Sequence, residues 1–112
     1  MIDPQGKITT TIGVPKRLTF NQSDPTLRYP CHAFIVEALP TNGGKVYVMR
    51  GNNAFVVGTY ANVAAVIAIP TVNIIPSFQA GFSASANPFN LADYYIDVEL
   101  SNEGVIVTAL VL

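Results

Sequence analysis

The sequence is cut from end to end into short apolar, β-branched and aromatic runs by proline, glycine and asparagine, and no long helical pattern competes with them. The clearest run is 93–100. There Tyr94, Ile96, Val98 and Leu100 share one face of an extended chain, and Asp93, Tyr95, Asp97 and Glu99 share the other. Such alternation marks a half-buried strand. Ser101-Asn102-Glu103-Gly104 and the Val-, Ile- and Thr-rich run 105–112 follow, so the two runs read as an antiparallel hairpin about an Asn- and Gly-containing turn. The last run has no polar residue except Thr108, and is therefore expected to be covered on both faces, by the core and by something else.

Upstream, 31–39 reads as a second strong strand, closed by Pro40 and the turn Thr41-Asn42-Gly43-Gly44, with 45–50 as its partner. Residues 54–60 and 63–69 make a further expected pair around Ala61-Asn62, and Pro70 ends the second of them. Weaker strands are expected over 7–14 and 17–21, and 72–75 and 78–83 look extended between loops. Asn87 before Pro88 has the form of a helix N-cap with proline at the first helical position, which predicts one helical turn over 88–92. About eight or nine short antiparallel strands at intervals of roughly 8 to 12 residues make the chain all-β, a single β-sandwich of jelly-roll type. Residues 1–15 are expected to be an N-terminal arm or first strand, and 16–112 the sandwich domain.

Charge limits how such a sandwich can live in water. Asp, Glu, Lys and Arg make up 12% of the 112 residues, against about 25% in an average soluble domain, while half of the chain is hydrophobic. Residues 51–92, 42 in all, contain no Asp, Glu, Lys, Arg or His. A membrane is not the expected neighbour, because the longest unbroken apolar run in that stretch, 63–69, is far shorter than the roughly 20 residues of a spanning helix. The opening residues lack the basic start and apolar stretch of a secretory signal, so the chain is expected to be made and used without export. Asn21-Gln22-Ser23 fits the glycosylation pattern and is read as a turn. A net charge of −1 offers nucleic acid no attraction, and Lys16-Arg17, the nearest thing to a basic cluster, reads as two solvated strand-end charges.

Chemistry is short of residues. His32 is the single histidine and Cys31 the single cysteine, so no internal disulfide can form and no intrachain site needing two of either exists. Neighbours on a strand point to opposite faces, which keeps that thiol and imidazole from acting as nucleophile and base. Asp97 and Glu99, with Asp93, share a face and could approach a hard cation, but dedicated use needs further ligands or a cleft, and the simpler reading is the polar face of a half-buried strand. Phosphate loops, nucleophile elbows and zinc motifs are absent. No catalytic, cofactor-binding or metal-binding residue is expected, and the chain is read as a non-enzyme, with a small β-barrel enzyme as the competing class. Tyr95 lies with the carboxylates, where an exposed tyrosine favours a contact surface.

Few charges, a long uncharged stretch and an all-apolar last strand together predict a protein that acts through its interfaces. The segments Arg17-Leu18-Thr19-Phe20-Asn21, Gly44-Lys45-Val46-Tyr47-Val48, Ala92-Asp93-Tyr94-Tyr95-Ile96-Asp97-Val98 and Gly104-Val105-Ile106-Val107-Thr108 resemble the small capsid decoration, or cement, proteins of tailed bacteriophages. The resemblance implies a β-sandwich or jelly roll seated on the outside of the shell, with the major capsid protein as partner and a homo-oligomer, dimer or trimer, as the working unit. On that expectation the protein is made in the host cytoplasm and found on the virion. Residues 51–92 would supply the contacts, and an arm over 1–15 would reach across a neighbour. A phage tail, baseplate or fibre component is the alternative, with Tyr29, Tyr95 and the asparagines available to a host glycan.

Overall fold

The alternation read along the chain is realised as two antiparallel sheets in a computed structural model that describes residues 2–19, 28–81 and 89–111. In chain order the strands are β1 (Ile2–Thr10), β2 (Lys16–Arg17), β3 (Pro30–Ala38), β4 (Val46–Arg50), β5 (Val63–Ile67), β6 (Ser77–Ala80), β7 (Phe89–Asn90), β8 (Tyr94–Val98) and β9 (Glu103–Val111). One sheet has the order β1-β9-β3-β6, with β7 also on β3, and the other the order β2-β8-β4-β5. Apart from β4 to β5 and the short β6 to β7, each connection between successive strands crosses from one sheet to the other. That winding is the jelly-roll arrangement.

The core lies between the sheets. Phe34, Val36 and Ala38 of β3 and Val105, Val107 and Ala109 of β9 face Val46 and Val48 of β4 and Ile96 and Val98 of β8, all of them buried. Leu18 and Leu91, from segments with little periodicity of their own, complete it. Each of the Val, Leu, Ile and Phe side chains contributes about 1.5–3 kcal/mol on leaving water, so the alternating residues of four strands hold the layers together. Phe34 meets the edge of Phe78 at 6.2 Å and the ring of Tyr94 at 5.0 Å, which ties β3 to β6 and to the opposite sheet.

Several expected pairings are corrected. The runs 93–100 and 105–112 do not form a hairpin: β8 pairs with β4 and β2, and β9 pairs with β1 and β3 in the other sheet. Likewise β3 and β4 lie in different sheets, so 31–39 and 45–50 are not partners. The reason is burial. Both members of each supposed pair have an apolar face that must be covered, and placing them in opposite layers covers both at once. Residues 54–60 form a loop with one bridge between Val56 and Thr59, and β5 pairs with β4 instead. Residues 72–75 are not a strand; β6 begins after Pro76.

The first strand starts at Ile2 and is hydrogen-bonded along β9, with a register shift between Pro4 and Gly6, so residues 2–10 lie within the chain's own sheet rather than as a free arm. The expected helical turn is a 3-10 turn, Leu91–Asp93, whose cap is Asn90: its side chain accepts from the Ala92 N–H. Asn87 and Pro88 lie outside the described residues, as does the Asn21-Gln22-Ser23 turn.

Candidate interaction surface

The residues singled out for chemistry are mostly spent on the fold. Cys31 is fully buried, and burial pushes its thiol up from the usual value, away from the thiolate that a nucleophile needs. His32 is the extra residue of a β-bulge between Cys31 and Ala33 and is half-buried. Lys16 is exposed, but Arg17 is buried, which corrects the reading of two solvated charges: β2 pairs with β8, and Arg17 sits opposite Tyr95. Tyr29 and Tyr95 are half-buried, and the Tyr29 hydroxyl accepts from Gln5 Nε2 at 2.7 Å.

Asp93, Tyr95, Asp97 and Glu99 do not form an open polar face. Asp93 and Glu99 are exposed, but Asp97 is 2% exposed. Its carboxylate accepts the Gly13 N–H at 3.0 Å and the Val98 N–H at 2.8 Å on one oxygen, and the Phe55 N–H at 2.8 Å on the other. Asp97 thereby fastens two loops, 11–15 and 51–62, across the outer face of the four-stranded sheet. A buried carboxylate is tolerated when backbone donors surround it in this way. Glu99 accepts from the Lys45 N–H at 3.1 Å. Among the described residues no group of three or more His, Cys, Asp or Glu is placed to hold a metal ion.

What this fastening presents is apolar. Phe55 stacks on Tyr47 with ring centroids 3.7 Å apart and planes within 3°, and Tyr60 leans on Phe55 at 5.8 Å. Val56 and Val57 stand at the tip of the loop, which turns back through the Thr59 N–H to the Val56 carbonyl at 2.9 Å, with Gly58 at φ 85°. Val57 is 89% exposed, and Ile12 on the neighbouring loop 58%. Between the loops lies an open hollow of about 180 Å³ lined by Ile12, Tyr47, Phe55, Val57, Asp97, Val98 and Glu99. The result is an apolar prow on a rigid base, where an ordinary surface loop would be polar.

Tyr47 carries a pH signature of this site. Burial pushes its phenol above the ordinary value, and the neighbouring Glu99, which accepts its hydroxyl, with Tyr60 and Asp97, pushes it further the same way. The folded chain therefore holds this proton more tightly than the unfolded chain. Stability from this source is full below the unfolded tyrosine value of about 10 and is lost as pH rises past it. Urea midpoints measured across that alkaline range should fall less steeply for Tyr47→Phe than for the parent chain.

Other exposed apolar residues cluster nearby in sequence: Val66, Ile69, Val72, Ile74 and Ile75. They belong to the uncharged stretch, so the absence of charge read in the sequence becomes a surface rather than an extra core. The outer face of β9 is open too. Ile106 is exposed and Thr108 and Leu110 are half-buried, and a second hollow of about 180 Å³, lined by Ile2, Ile35, Thr108 and Leu110 among others, indents that sheet. No helix among the described residues is long and apolar enough to cross a membrane. Compared with protein-family models, with curated proteins and with solved structures, the chain has no match.

Proposed function

We propose that the protein is a structural virion component that binds the outside of an assembled capsid and stabilises it by bridging neighbouring major capsid protein subunits. The observation that carries an assembly role is the prow: Ile12, Val56 and Val57, exposed and apolar, on loops held in place by a buried carboxylate and a ring stack. A rigid apolar tip enters a partner's surface without having to order itself first, which is what an effective anchor requires. The resemblance to capsid decoration proteins supplies the virion, and the jelly roll, an architecture used by viral capsid and lectin domains, agrees with it by fold-level analogy. Stabilisation follows by mass action, because a protein that binds only the assembled shell raises the free energy of taking it apart.

The test is cosedimentation with intact particles of the phage that encodes the chain. Val57→Asp and Ile12→Asp alter exposed side chains and should leave the fold within about 0.5 kcal/mol of the parent. Each should weaken particle binding by about thirtyfold or more, the loss typical of an anchor residue. Glu37→Gln, on the outer face of the other sheet, should bind as the parent does. Equal binding by all three variants would remove the prow from the account, and a chain recovered only with tails or fibres would move it to the alternative virion role.

A further inference from the structure

The two sides of the sandwich are guarded differently. On one side β1 lies against β2 and on the other β5 lies against β6, so each side shows two sheet edges. The β1 edge carries Pro4, Lys7 and a register shift, and β2 is two residues long, both cationic. These are the usual devices against strand addition: proline, lysine, an irregular ladder and brevity. The β5–β6 side has little of this. From residue 63 to residue 80 there is no charged side chain, and the prolines fall in the connection rather than in either strand. A register shift at Val48/Met49 disturbs the start of β5, but from Ala65 to Ile67 its ladder with β4 is regular. The 68–76 connection adds exposed Ile69, Val72, Ile74 and Ile75 beside the two edges.

We propose that this side pairs with a second copy of the chain across a two-fold axis, β5 lying antiparallel to its own image, so that two four-stranded sheets continue as one. An unpaired strand edge offers backbone donors and acceptors to another strand. The partner is argued from charge. A two-fold axis brings each interface residue close to its own copy, so any charged patch there repels itself. The β5–β6 side has no charged residue over both strands and their connection, and only Arg50 of β4 reaches its first residue, at the Val63 carbonyl, 3.2 Å away, whereas the β1–β2 side would set the exposed Lys7 and Lys16 against their images. The pairing deepens the assembly reading and rests on it, by naming what covers the part of the uncharged stretch that the prow does not use.

Light scattering on the full chain at micromolar concentration should give the mass of two chains. Hydrogen exchange should show β5 amides protected there and released on dilution. Val66→Lys with Ile74→Asp changes two exposed residues and should weaken the dimer by about a hundredfold, with the melting of the monomer unchanged. Lys7→Ala, on the guarded side, should leave the dimer intact. A parent chain with the mass of one or of three chains would overturn the pairing, as would a dimer indifferent to the double variant. Failure here is separable from failure of the capsid reading: a monomer that still saturates particles refutes only the pairing, and a dimer that ignores particles refutes only the capsid role.

Discussion

Replacing Gly104 by alanine should cost the protein a large part of its stability. A Cβ built at this position would lie 1.9 Å from the Ile8 carbonyl oxygen and 2.8 Å from both the Ile8 carbonyl carbon and the Thr9 Cα. These are backbone atoms of β1, so no side-chain rotation relieves the clash, and the strand must move away from β9. The same glycine is gripped from the other side. Asn42, itself buried, donates from Nδ2 to the Gly104 carbonyl at 2.7 Å and accepts the Gly104 N–H on Oδ1 at 3.3 Å, while the Leu39 N–H reaches that carbonyl at 3.2 Å. Shifting β9 to make room would break this grip. A loss of about 4 kcal/mol or more is expected, a large part of the roughly 5–15 kcal/mol that holds a domain together. Gly43→Ala is the matched control. Its new methyl group would meet nothing nearer than 3.4 Å, and its urea midpoint should stay close to that of the parent.

The second large effect belongs to Asp97. Asp97→Ala leaves the Gly13 and Phe55 N–H groups without their acceptor, and bonds to a carboxylate are worth about 1.5–3 kcal/mol each. Because both donors sit on surface loops, water recovers part of that, and a net loss of about 3 kcal/mol is expected in urea unfolding. Asp97→Asn keeps one acceptor oxygen but turns an amide donor toward an N–H, and should lose about 2 kcal/mol. Hydrogen exchange distinguishes the role. In both variants the amides near Phe55 should exchange faster, while those of β3 and β9 follow the global change only. If the loops stay as protected as in the parent, Asp97 does not hold the prow.

These two residues show how far the sequence could be read. Strand positions followed from period-two alternation, and the inward residues of β3, β8 and β9 were legible because burial repeats every second residue. Pairing was not legible. In a jelly roll most partners are remote in sequence, and a hairpin and a crossing between layers begin with the same turn residues. Ser101-Asn102-Glu103-Gly104 suggests a turn glycine at Gly104, but Asn102 holds the left-handed position, at φ 66°, and Gly104 lies in β9, where two backbones approach too closely for a Cβ. Alternation alone puts Asp97 on a solvated face. Alternation tells which side of the sheet a residue is on; it does not tell what a loop 42 residues earlier will lay over that side. The prow was therefore hidden, although its material, an uncharged run with Val56 and Val57, was in view. No signal in the sequence sets Asp97 apart from Asp93 and Glu99, which share its alternation.

On the proposed function, the uncharged part of this jelly roll is a contact surface and the charged side is not. Hydrogen exchange on the full chain, free at a dilution where it is monomeric and bound to intact particles, tests it most directly. Binding should slow the amides of 54–60 and of 63–80 and leave the β1 edge, residues 2–10, exchanging as before. Protection along β1 and β2, with 54–80 unchanged between the free and bound chain, would contradict it.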